Sequence, residues 1–310
     1  MSETKSRLSF ITSRPYWWVY AIGTVILIAS AWTWWTKVHL APNNVFWGMM
    51  ENSLQTKGVT IETNQQSQGR SAKQLVQFEL GATNRAYSFS TINQGATRVQ
   101  TEIIGTRDAD YSRYRSIQTD EKNADGKKLD TSKILGVWAK SDDVQQSATQ
   151  QSGNQLFAQA VIGTGLPLGG VPVPLGDLTP KQRTKMLDQI REQGVYDTSF
   201  KDVVKRREDG RLLYTYRTKI QSILYVQLMK NFAKDLGFSE LAAVDPNTYQ
   251  NSEPIQVDLT VDAKTRRLVA VLNNQSGAKQ EYRAYGLPLD VQIPQKTISS
   301  AELQKRLSEL

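Results

Sequence analysis

Hydrophobic and polar positions along this chain change rhythm several times, and each rhythm predicts a different element. The first stretch has no period. Val19 to Ala31 is an uncharged apolar run inside the segment Tyr16 to Thr36. About 20 such residues cross a bilayer as a helix, which predicts a membrane span over 16–36. Next, Trp47, Met50 and Leu54 fall at i, i+3 and i+7, with Phe46 and Met49 beside them, predicting a helix over 44–56. The rhythm then shortens to two. Val76, Phe78 and Leu80 alternate with Gln77 and Glu79, and Tyr87 and Phe89 with Ser88 and Ser90. Strands are expected near 58–66, 73–81, 85–93, 97–106 and 110–118, in an antiparallel meander, because the short connections leave no room for crossovers.

The second half repeats the theme. Thr179-Pro180 is a helix start, N-cap then proline, for a helix ending at Gly194. Asp209-Gly210 predicts a hairpin between 199–207 and 211–219. Leu224, Leu228, Phe232 and Leu236 recur every four residues, giving a helix over 221–236. Ile255, Val257, Leu259 and Val261 alternate with polar residues, with partner strands near 266–274 and 278–286. Ser299 to Glu302 resembles a capping box for a last helix within 299–310. The expected fold class is α+β: a transmembrane helix, then an antiparallel curved sheet, a half-open barrel, covered by helices. The expected organisation is 1–15 cytoplasmic, 16–36 anchor, 37–43 linker and 44–298 an extracytoplasmic domain.

One segment breaks every rhythm. From Val144 to Gly176 there is no charge. Its first part is rich in Gln and Ser. Its second part contains Leu166 and Leu168 among glycines and Pro167, Pro172 and Pro174, which exclude an ordinary helix or central strand. Loop 144–178 reads either as a hydrophobic cover over one end of the core or as a lid over a cavity or membrane contact.

Composition sharpens the location. Five of the seven tryptophans, Trp17, Trp18, Trp32, Trp34 and Trp35, bracket the apolar run. Indole rings favour the bilayer interface, and the two clusters lie about 22 Å apart along a helix. Lys5, Arg7 and Arg14 precede the span with Glu3 as the only acid, so the positive-inside bias puts the N-terminus in the cytoplasm. A cleaved signal peptide is the rival reading, because Ala29-Ser30-Ala31 fits a small-x-small site. Cleavage would leave Trp32, Trp34 and Trp35 as an adhesive new terminus, which favours an uncleaved anchor. The formal net charge is +8. Lys/Arg residues form no dense stripe, so membrane lipids and wall polymers fit as partners and nucleic acid does not.

Candidate chemistry is sparse. The absence of cysteine removes disulfides, thiolate metal sites and cysteine nucleophiles. The single histidine, His39, sits at the expected membrane edge and reads as an interfacial side chain. Ser276-Gly277-Ala278-Lys279 matches S-x-x-K, but in an expected turn where the amine does not share a helical face with the hydroxyl. Glu121 to Ser132 only echoes a calcium loop and reads as a solvated turn. The acid pairs Asp108/Asp110, Asp142/Asp143 and Asp258/Asp262 are what a carboxylate hydrolase would need. No cofactor, metal or catalytic residue is expected.

The order of elements, with Trp47, Met50, Leu54, Leu224 and Leu228 on helices around an antiparallel meander, resembles the LolA/LppX-type envelope lipoprotein-carrier fold. That resemblance covers roughly 44–295. It implies an acyl-chain cavity between a curved sheet and helices, with 44–56, 221–236 and 156–175 as lid elements. The resulting expectation is a single-pass cell-envelope protein that binds a lipid or lipidated protein, with Trp47, Met50, Leu54, Phe78, Tyr87, Phe89, Leu166, Leu168, Leu224 and Leu228 as the ligand-binding set. The departure is the anchor: many members of that fold are soluble or lipid-anchored. The alternatives are a structural domain of an envelope assembly without a ligand, and a wall-active hydrolase.

Overall fold

The computed structural model describes residues 17–67, 69–81, 84–122, 126–141, 156, 172–235 and 244–310. The apolar run forms helix α1, Trp17–Trp34, continued by a π-helical turn, Trp35–His39. From Trp18 to His39 this is 22 residues with a mean hydropathy of 1.3, long and apolar enough to cross a membrane. The hydroxyls of Thr24, Thr33 and Thr36 donate to the carbonyls of Tyr20, Ala29 and Trp32, four residues back. Their polar atoms are thereby satisfied inside the helix, as a hydrocarbon surrounding would require.

The chain turns at once into helix α2, Pro42–Leu54, with proline in its first turn. The stretch 37–43, expected as a linker, is ordered on both sides: the Leu40 N–H donates to the Trp35 carbonyl at 3.0 Å. Helix α2 starts two residues earlier than its apolar spacing indicated, because Pro42 suits a first turn. It buries Val45, Phe46, Met49, Met50 and Leu54, each worth about 1.5–3 kcal/mol of transfer free energy.

Among the described residues thirteen strands form one sheet. They are β1 Gly58–Ser67, β2 Arg70–Glu79, β3 Arg85–Gln94, β4 Thr97–Gly105, β5 Asp110–Gln118, β6 Ala139–Lys140, β7 Tyr196–Thr198, β8 Val204–Glu208, β9 Arg211–Ile220, β10 Ile255–Asp262, β11 Arg267–Asn273, β12 Lys279–Arg283 and β13 Ile298–Ser299. The order is β13-β6-β5-β4-β3-β2-β1-β12-β11-β10-β9-β7, with β8 also on β9. The sheet is large, mostly antiparallel and unclosed. Between these strands one pairing is parallel, that of β13 with β6. The expected strand 199–207 is shortened to β8, and β7, which precedes it, shares the outer edge of β9 with it.

Three further helices are α3 Pro180–Gln193, α4 Ser222–Asp235 and α5 Ser300–Ser308. Helix α3 has the full capping box, Thr179 with Gln182, and stops at Gly194 in the left-handed region, φ 64°. Helix α2 touches β10, β11 and α3, and α3 touches α4.

The register separates two faces. Phe78 pairs with Ala86, Val59 with Phe78, Ile61 with Tyr282, Val271 with Gln280, Leu259 with Val271 and Tyr216 with Leu259. These residues share one face, which carries the main core together with Phe46, Met49, Met50, Tyr225, Leu228 and Phe232. A smaller cluster, Ile134, Ala139 and Leu303, sits at the far end with Tyr114 and Ile117.

The opposite face is crossed by the chain itself. Strand β12 lies beside β1 while β13 lies beside β6, so residues 284–297 must traverse the strands between them. Three contacts trace that strap: Gln77 Nε2 to Pro288 O at 3.4 Å, Leu289 N to Glu79 Oε2 at 3.0 Å, and Arg85 Nη1 to Val291 O at 3.1 Å.

Candidate functional site

The residues expected to bind a ligand divide into three groups. Met50, Leu54, Phe78 and Leu228 lie in the main core, and Trp47 and Leu224 pack partly buried against it. The structure therefore brings these six together. Their immediate surroundings are closely packed: Phe46 meets Tyr216 at 5.4 Å and Phe200 at 5.5 Å between ring centroids, and Arg191 covers Trp47 at 4.6 Å. Tyr87 and Phe89 do not join them. Both alternate with Ala86 and Ser88 on β3 and so face away from Phe78. Leu166 and Leu168 lie outside the described residues, as does most of the uncharged loop. The described parts of that loop, Leu156, Val173 and Leu175, are buried in the main core.

The same sheet face changes character along β2, β3 and β4. Val76 and Ile103 still pack against the main core, and beyond them lie Ile92 and Val99, half-buried, beside Gln74, Ser90 and Thr101. The polar members satisfy one another or near neighbours. Gln74 donates to Ser88 at 3.0 Å, and the Ser90 and Thr101 hydroxyls share a hydrogen bond at 2.5 Å. This part of the face is a half-buried apolar surface with polar rungs.

On the opposite face, the strap and sheet enclose a cleft of about 630 Å³ lined by Gln77, Tyr87, Glu102, Ile104, Arg113, Trp138 and residues Pro288 to Gln292. Strands β4 and β5 place Glu102 directly across from Arg113. Two guanidinium nitrogens converge on one Glu102 oxygen, Nε at 2.7 Å and Nη2 at 2.6 Å. Arg113 also stacks on Trp138 at 4.4 Å, which combines charge pairing with cation–π contact. Burial, and then the Glu102 charge, push the Tyr87 phenol above its usual range. The cleft offers a neutral phenol, a compensated ion pair and an indole. The alternation at Tyr87 was legible beforehand; the partnership of Glu102, Arg113 and Trp138 had no local sequence signal.

The weaker candidates resolve structurally. His39 stacks on Trp35 with centroids 4.2 Å apart, and its Nδ1 lies 2.9 Å from Arg266 Nη2. The Ser276 hydroxyl accepts from the Ala278 N–H at 3.3 Å, while Lys279 bonds Glu281 at 2.6 Å, so the two do not form a serine–lysine pair. Asp262 caps the β10–β11 turn through the N–H groups of Lys264 and Thr265, and Asp258 accepts from Asn274. Asp142 and Asp143 lie outside the described residues. Among the described residues no group of three or more His, Cys, Asp or Glu is arranged to hold a metal ion.

Comparison with known proteins finds no matching protein family and no matching curated protein.

Proposed function

We propose that this chain is a single-pass membrane protein, N-terminus cytoplasmic, whose extracytoplasmic domain binds an amphipathic ligand such as a lipid or a lipidated protein. The observation that carries this reading is the uneven cover of one sheet face. Around β9 to β12 and β1 that face meets α2 and α4 in a dense core. Along β2 to β4, past Val76 and Ile103, it becomes a half-buried apolar surface at Ile92 and Val99 crossed by polar rungs. Apolar lining with a few fixed polar groups suits an acyl chain bearing a polar head. An unclosed sheet with helices packed on part of one face is an architecture that would present such a ligand close to a bilayer. The exposed indoles of Trp18, Trp32, Trp34 and Trp35 support placing α1 in that bilayer.

Native mass spectrometry of the chain extracted from membranes tests the ligand. A co-purifying species of lipid mass is expected, and Ile92→Trp, which adds bulk to the half-buried apolar surface, should reduce it without lowering thermal stability. Failure of any amphipathic species to co-purify would overturn the binding reading. Protease added outside intact cells tests topology: the domain should be removed, and its protection would reverse the orientation.

A second reading, an envelope interaction domain without a ligand, draws on the close packing of Phe46, Met49, Met50 and Tyr216, none more than 1 % exposed. Finding a partner protein retained through the strap face, with no lipid present, would favour it.

A further inference from the structure

The junction between α1 and the domain has a direction. Tyr216 donates to the Pro42 carbonyl at 2.8 Å, Tyr214 to the Leu40 carbonyl at 3.0 Å, and Arg266 to the His39 carbonyl at 3.2 Å. Moving along β9 from Tyr216 to Tyr214, and on to the β10–β11 turn, therefore moves from Pro42 back to His39. The sheet advances toward α1, and its loops at that end lie nearest the surface from which α1 emerges. Two turns leave the sheet there. Leu213 pairs with Asp262, so the β8–β9 turn at Asp209-Gly210 and the β10–β11 turn after Asp262 point the same way. About four residues separate Tyr214 from Gly210, carrying the hairpin tip roughly 13 Å further.

This end of the sheet is basic. Lys205, Arg206, Arg207, Arg211, Lys264 and Arg267 are all exposed there. The acids nearby are few: Glu208 pairs with Arg206 at 3.2 Å, Asp209 sits in the turn, and Asp262 is committed to capping. Charges on an edge strand resist unwanted pairing, but Arg211, Lys264 and Arg267 lie off β8, so edge protection does not account for them.

We propose that the β8–β9 hairpin and the β10–β11 turn form a docking edge for anionic lipid headgroups of the membrane that α1 enters. The proposal rests on the anchoring reading of α1. A basic residue near an anionic leaflet strengthens attachment by about fivefold, and the effect fades over about 8–10 Å at ordinary ionic strength. The hydrogen-bonded junction holds the edge on the helix side of the domain, so docking would set the angle at which the domain stands on the bilayer.

The chain lacks cysteine, so Val204→Cys, at a site 61 % exposed, gives a unique attachment point for a nitroxide. The full chain is reconstituted into vesicles of phosphatidylcholine alone, or of phosphatidylcholine with phosphatidylglycerol, and label-to-headgroup proximity is read by paramagnetic relaxation. Phosphatidylglycerol should bring the label to the headgroups, high salt should release it, and R206E/R207E/R211E should lower the docked-to-free ratio at least tenfold. Because all three arginines are exposed, that variant should melt as the parent does; if it does not, Lys264→Gln alone should still give a severalfold loss. A label indifferent to phosphatidylglycerol, in a chain that floats with vesicles after an alkaline wash, would overturn the docking edge. A chain that fails to float would instead overturn the anchor. Retention of soluble polyphosphate, with the label indifferent to lipid, would reassign the edge to a soluble polyanion and overturn the lipid assignment.

Discussion

Gly48 and Arg266 show how single residues set the junction. A Cβ at Gly48 would lie 2.3 Å from Arg266 Cδ and 3.0 Å from Nε, and Arg266 is held by His39. Gly48→Ala should thus lower stability by about 1–3 kcal/mol through overpacking, although alanine is favoured over glycine inside a helix by about 1 kcal/mol. In an Arg266→Ala background the same change should become neutral or stabilising, and a double-mutant cycle on thermal unfolding measures the difference. Glu62 supplies a pH prediction. Lys73 hydrogen-bonds its carboxylate and Arg283 adds a second positive charge, so its pKa falls below the ordinary carboxylate value despite burial. A depressed folded pKa contributes stability that is fully present above about pH 4.3, the unfolded value, and is lost as pH falls through the lower folded one. Glu62→Gln should flatten that acid limb and cost about 1 kcal/mol or less at neutral pH. Lys73 and Arg283 remain 63 % and 56 % exposed, and solvent weakens the cluster accordingly.

At the scale of elements, local chemistry and tertiary packing contribute separately. Thr179 accepts from the Gln182 N–H, and the Gln182 side chain accepts from the Thr179 N–H at 3.0 Å. Thr179→Ala should cost about 1 kcal/mol by losing that cap, seen as a lower melting temperature with unchanged helix content. This helix was legible at both ends, since a cap, a first-turn proline and a terminal glycine are local signals. The β8–β9 hairpin was legible for the same reason at its turn: Asp209 and Gly210 both have positive φ, 49° and 74°. The other limb forms only over β8, because 199–207 has no clean alternation to mark where the strand starts. The parallel β6–β13 pair, of two residues each, is too short to carry any period.

The whole molecule joins two cores of unequal size on one sheet. The small one rests on Ile134, Ala139 and Leu303. Leu303→Asp should release α5, loosening β13 and β6 while the main core stays folded. Hydrogen exchange should speed up over 134–140 and 298–308 and remain slow over β9 and β10; uniform acceleration would show that the two cores unfold together. Tyr114 and Ile117, which pack on this cluster, sit across from Thr101 and Val99, so on the proposed reading the same variant should also weaken retention of an amphipathic ligand. The candidate sites depend on long-range assembly. Trp47, Met50, Leu54, Leu224 and Leu228 were traceable from helical spacing, because burial repeats with the helix. Glu102, Arg113 and Trp138 meet only because β4 pairs with β5 and the strap returns across them.

The sequence by itself determined the apolar helix at the N-terminus, most strand and helix positions, and the turns at Gly194 and Asp209-Gly210. Each is written in a few neighbouring residues through hydrophobic period, capping or backbone freedom. Only the tertiary structure decided that β12 lies beside β1, that residues 284–297 cross the opposite face, that Tyr87 and Phe89 turn away from the core, and that Tyr214, Tyr216 and Arg266 clamp the helix junction. These are pairings between residues tens to hundreds of positions apart. Their partners are selected by the free energy of burying one shared face, and no local pattern records that choice.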